Sequence, residues 1–147
     1  MINEFISKKA LIAENKRLTQ KIIEIEKQNQ VVLDNSPVCT KIIDLDYNLQ
    51  FMSASGVKAL DIDDITEFYG TPYPLEFYTK SFKNDMILSL KKCHKTNEIV
   101  IHEAPIIDLN GNTLWFHSTI VPIGNDEGEL DYFLVFSTDI TKFKSLD

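Results

Sequence analysis

Cysteine is scarce in this chain of 147 residues: Cys39 and Cys93 are the two present, far apart and forming no CxxC pair. That excludes a disulfide scaffold and a cysteine-rich zinc site, and it fits the reduced thiols of a cytoplasmic protein. Glycine is also scarce, with five residues and no Gly-rich string that could cradle a phosphate. No stretch approaches the ~20 apolar residues of a membrane span, and the opening MINEFISKK has no apolar core of a secretion signal. Basic charge is in deficit. The net charge is −7, and it is uneven: residues 1–34 carry +1 and residues 35–147 carry −8. A globular part this acidic repels a phosphate backbone, so nucleic acid is not an expected partner. What remains, 44% hydrophobic and 25% charged residues, is enough to bury one core, with an extension beside it.

The extension is residues 1–34. It has no Gly or Pro and is rich in Lys, Glu, Gln, Asn, Leu and Ile, which predicts a helix. Leu11, Leu18, Ile25 and Val32 recur every seven residues. With these as d positions, the a positions are Lys8, Asn15, Ile22 and Asn29. Asparagine at a favours a parallel two-stranded coil at some cost in stability. A homodimer through this helix is therefore expected, the alternative being an amphipathic helix packed on its own domain. Ile12 and Ile23 lie off the seam, so the coil is imperfect.

Asp34-Asn35-Ser36-Pro37 ends the helix, since Pro37 cannot continue it. Strands are expected over 38–45 and 49–52, joined by the turn Asp44-Leu45-Asp46-Tyr47-Asn48. Residues 53–95 read as short helices. Ser53 is placed to cap the first, running to Leu60. A longer one over 82–94 brings Phe82, Met86, Ile87 and Leu90 onto one face. Strands return at 98–107, 113–123 and 130–140. Asn110-Gly111 between the first two is the strongest hairpin signal, because a type I′ turn needs positive φ at both central residues. Asn125-Asp126-Glu127-Gly128 makes the next turn. Two strands, short helices and a three-stranded meander predict an α+β domain: a five-stranded antiparallel sheet with one face covered by helices.

The residues Asn35-Ser36-Pro37, Asp44 to Leu49, Trp115, Val121-Pro122-Ile123, Gly128 and Asp139-Ile140-Thr141 stand in the order and spacing of a known family. Over roughly residues 31–143 the chain resembles the PAS sensory family, including its C-terminal PAC portion. Ser53 departs from the pattern, where many members have Asn. The resemblance implies the PAS fold over residues 35–143. It also implies sensing of a ligand, redox state, light or partner, with the signal passed through flanking helices to an output domain in the same polypeptide. That output is most often a histidine kinase, otherwise a cyclic-dinucleotide enzyme or transcription activator. Residues 144–147 would then begin the outgoing helix. Asp139, Ile140 and Thr141 are the expected transmission residues, Asp139 or Thr141 accepting from backbone N–H groups of that helix's first turn.

Catalytic chemistry has few candidates, and this segment is not expected to be an enzyme. His102 and His117 fall on strands joined by a hairpin and could face each other. Glu103 points to the face opposite His102, so a third ligand is missing and no metal is expected. Some members of the resembling family hold haem through a histidine on the long helix. Here His94 sits in Lys91-Lys92-Cys93-His94-Lys95, a solvated-looking string off the apolar face. The flavin-binding subfamily's Asn-Cys-Arg-Phe-Leu-Gln string is absent, and Cys93 stands beside lysines that would lower a thiol's pKa. Neither haem nor flavin is expected. A small-molecule ligand in the core remains open, with Phe82, Met86, His102, Trp115 and His117 as its candidate lining. The competing expectation is a ligand-free assembly module that aligns output domains such as a diguanylate cyclase or a transcription regulator.

Overall fold

A computed structural model describes residues 2–144, with side chains from Ser7 onward. The last residues assigned above to an outgoing helix, 145–147, lie outside the described residues. The chain divides at Asp34/Asn35 into a helix and a globular unit. Helix α1 (Ile2–Asn35) is unbroken over 34 residues, as the absence of Gly and Pro permits. It exposes its heptad residues Leu11, Leu18, Ile22, Ile25 and Val32, the first and last at 67%.

The globular unit runs β1 (Cys39–Asp44), β2 (Leu49–Met52), α2 (Ala54–Ala59), a 3-10 turn (Ile65–Phe68), α3 (Lys80–Thr96), β3 (Val100–Ile107), β4 (Thr113–Gly124), β5 (Leu130–Asp139) and α4 (Thr141–Lys144). The strands form one five-stranded sheet in the order β2-β1-β5-β4-β3, with every neighbouring pair antiparallel. One face is buried beneath α2 and α3. Alternation sets that face: Cys39, Lys41 and Ile43 of β1 are buried, as are Val100, His102, Ala104 and Ile106 of β3. Helix α3 starts where Thr79 Oγ1 accepts from Phe82 N at 3.3 Å and stops where Asn97 turns left-handed at φ 55. It buries Phe82, Met86, Leu90 and Cys93 against the sheet. Cys93 thus belongs to the core. Burial pushes its thiol up, the reverse of what its lysine neighbours imply in sequence.

All three hairpin turns use one device. Asp44, Asp108 and Asn125 each open a loop, and each side-chain oxygen accepts from the backbone N–H groups two and four residues on. The fourth residue of each is left-handed: Tyr47 at φ 65, Gly111 at 84 and Gly128 at 79. The β3–β4 loop is therefore not the type I′ turn that Asn110-Gly111 predicts. Asp108 N–H donates to Asn112 O and Gly111 N–H to Asp108 O, leaving three loop residues, of which Gly111 alone has positive φ. The Asp108 carboxylate, which accepts the Asn110 and Asn112 N–H groups, offers a better-bonded alternative than the primed turn. The extra residue shifts the register by one, and a shift of one turns every side chain of a strand to the other face.

Candidate functional site

The first consequence of that register is a polar row on the buried face. His102 of β3 pairs Ser118 of β4, Ser118 pairs Ser137 of β5, and Ser137 pairs Cys39 of β1, one rung across four strands. The serines are joined, Oγ to Oγ, at 2.8 Å. Lys41, two residues along β1 from Cys39, donates its ammonium to Ser137 Oγ at 2.9 Å. Lys41 is 3% exposed, and its Nζ lies 5.9 Å from the centre of the Tyr73 ring. Burial is the largest influence on that ammonium and opposes its charge; the Cys39 and Tyr73 side chains outweigh it, and the net displacement is upward. Burial holds the Tyr73 and Tyr78 hydroxyls in the neutral form, Tyr78 most strongly.

Between these groups lies a cavity of about 20 Å³, lined by Cys39, Lys41, Gly56, Leu60, Tyr73, Tyr78, Phe82, Ile106, Phe116 and Ser137. That is room for one water-sized occupant. Gly56 is required here, since a Cβ at that position would lie 2.0 Å from Cys39 Sγ. Three buried polar atoms nearby have no hydrogen-bond partner: the Tyr73 hydroxyl and both ring nitrogens of His102. The His102 ring packs edge-on to Phe82 at 5.4 Å, and burial holds it below its ordinary pKa, with Asp85 opposing. Ser53 stands at the start of α2 but does not cap it; its Oγ accepts the Thr40 N–H at 2.8 Å and ties α2 to β1.

The five residues expected to line a ligand site fall into two places. Phe82, Met86 and His102 are on the buried face, and Phe82 reaches the cavity. Trp115 and His117 are on the opposite face, so they do not line it. His117 pairs Glu103 rather than His102, with Nδ1 3.3 Å from the carboxylate. They stand instead at the junction with α4. Ile140 N–H donates to Trp115 O at 2.8 Å, and Trp115 N–H donates to Thr141 Oγ1 at 2.9 Å. Asp139 Oδ1 accepts from Thr141 N at 2.9 Å, the cap expected of it. Thr141's own oxygen goes to β4 instead of the helix. Lys144 closes the group by pairing Glu103 and lying 4.8 Å over the Trp115 ring.

His94 is exposed but not simply solvated: its Nδ1 is 2.8 Å from the Tyr47 hydroxyl, and its ring meets Phe133 at 5.6 Å. Among the described residues no group of three or more His, Cys, Asp or Glu is placed to hold a metal, and no helix is long and apolar enough to cross a membrane. Lys41 escaped the reading of the sequence, although its signal is there. In Cys39-Thr40-Lys41-Ile42-Ile43 a period of two puts the lysine in phase with Cys39 and Ile43, the buried positions.

Among solved structures, the PAS domain of a protein from Colwellia psychrerythraea is similar at a TM-score of 0.68 and 17% identity, over 80% of this chain and 98% of that one. The PAS domain of an HTR-like protein from Haloarcula marismortui matches at 0.67 and 21%, over 85% and 99%. An RNA-binding light-oxygen-voltage receptor matches at 0.69 and 12%, over 81% of this chain and 34% of that one. At these identities the likeness speaks to fold alone. No curated protein matches the sequence. The model of the family described as the PAS fold matches residues 33–145, and with that match the chain belongs to the PAS family.

Proposed function

We propose that this chain is a non-catalytic sensory module of a cytoplasmic signal-transduction protein, a sensor histidine kinase in our reading. A change in the core is passed through Asp139, Ile140 and Thr141 to an output domain in the same polypeptide, and α1 pairs two copies. The observation that carries this is the two-sided bonding of Trp115 to Ile140 and Thr141. Phe116 and Ser137 line the cavity; one is next to Trp115 and the other is two residues before Asp139. A displacement at the cavity therefore moves both strands that hold α4. The pairing is supported by the exposed d positions of α1, each giving ~1.5–3 kcal/mol on full burial.

Two measurements test the reading. Deleting residues 1–30 shifts the chain from dimer to monomer in multi-angle light scattering; an unchanged dimer moves the contact to the globular unit. In the polypeptide that carries the output domain, Asp139→Ala leaves fold and dimer nearly unchanged and removes the response to stimulus. Normal stimulus-dependent output in that variant refutes the relay. The small cavity favours a second reading, a ligand-free assembly module aligning output domains such as a diguanylate cyclase or transcription regulator. A native mass spectrum without reproducible extra mass supports it.

A further inference from the structure

The cavity beside Lys41 presents a problem of charge. The ammonium is buried, and the side chains whose charge reaches it are Cys39 and Tyr73, with no carboxylate among them. Every comparable buried cation needs a counter-charge or a full set of acceptors, because desolvation of an unpaired ion is the largest penalty a core can carry. Lys41 Nζ has three N–H donors: one goes to Ser137 Oγ, and the Cys39 and Tyr73 side chains are the other groups that favour its charge. The Tyr73 hydroxyl, also buried, has no acceptor at all. Both groups line the same void, which they share with Leu60, Phe82 and Phe116. The lining is mixed: Lys41, Tyr73 and Ser137 bring polar groups to it, and Leu60, Phe82, Ile106 and Phe116 make it otherwise apolar. At about 20 Å³ the void takes one atom-sized occupant and excludes a carboxylate with its carbon chain.

We propose that this cavity is a site for a single halide-sized anion, chloride in the cell, held by the Lys41 ammonium and the Tyr73 hydroxyl. The anion supplies a formal negative charge in addition to the Cys39 and Tyr73 side chains and accepts the unused phenol proton. A water in the same place would satisfy Tyr73 but bring no formal negative charge to the lysine. Its bearing on signalling rests on the relay proposed above, whereas binding is measured on this chain alone, so the two stand or fall separately.

The test uses the whole chain with bromide as the probe. Crystals grown in sodium bromide should show one anomalous peak between Lys41 Nζ and Tyr73 Oη. At constant ionic strength, replacing gluconate by chloride or bromide should raise the unfolding midpoint along a saturating curve. Lys41→Met should abolish both signals. Tyr73→Phe should weaken the halide response roughly ten-fold, the loss of one hydrogen bond to an ion, and it carries the test if the Met variant does not fold. Three results overturn the site: no bromide peak with a midpoint indifferent to halide; a response to formate or acetate equal to that to bromide; or a Lys41 amine shown by NMR to be neutral at pH 7.

Discussion

Thr141→Val isolates the junction behind the sheet. The substitution keeps the side chain's shape and deletes one oxygen. That oxygen accepts the Trp115 N–H at 2.9 Å and donates to Asp139 Oδ1. Trp115 is half-buried, so its orphaned N–H can recover part of its loss from water; Asp139 is exposed and recovers nearly all of it. The net cost is then about 1 kcal/mol, the usual worth of one intramolecular hydrogen bond. For a globular unit of this size that lowers the unfolding midpoint by about 4 °C. The local effect should be larger than the global one. Amide exchange at Trp115 should accelerate about ten-fold in the variant, while Phe116 and Ser118, inside the same strand, keep their protection. Because Asp139 takes the Thr141 hydroxyl proton and so turns its lone pairs toward Trp115, Asp139→Ala should weaken the same bond. The double variant should therefore cost less than the two singles added together. Unchanged exchange at Trp115, or strict additivity, would refute the latch and leave Asp139 as an ordinary helix cap.

Protonation of His102 should make the protein acid-sensitive in a window of its own. Its folded pKa lies below the ordinary 6.5, so above that value neither state binds the proton and the residue has no effect. As pH falls below 6.5 the unfolded chain takes up a proton that the native core refuses, and stability declines until the folded pKa is passed. His102→Leu should flatten the midpoint between pH 7 and 5.5 and leave neutral-pH stability equal or higher, since two unpartnered nitrogens are removed. A slope that persists in the variant assigns it to another group. Gly56→Ala should destabilise the fold by about 1–3 kcal/mol, because the new methyl meets Cys39 Sγ. Adding Cys39→Ala should recover part of that loss in urea denaturation, and no recovery would place the strain elsewhere.

Period alone was enough for much of this architecture. A run of 34 residues rich in Lys, Glu, Gln, Leu and Ile and without Gly or Pro favours a helix through local propensity, and strands of alternating polarity between Asx-rich turns form hairpins through contacts a few residues apart. The three hairpins and the polar cap at Asp139 follow from such local chemistry, whereas the pairing of β1 with β5 that joins them into one sheet brings together residues about 90 positions apart. Which face each strand residue takes is a different kind of quantity, because it depends on the register between strands. A two-residue Asn110-Gly111 turn would have put His102 and His117 on one face. The three-residue loop held by Asp108 puts them on opposite faces, sending His117 and Trp115 to the α4 junction and leaving His102 in the core. Lys41 shows the same limit from the other side. Its phase along β1 was legible, but a lysine is ordinarily left in water. That it lies inside was decided when β1 was laid between β2 and β5 with α2 above it, because a central strand has no solvent edge to which a lysine on its covered face can reach.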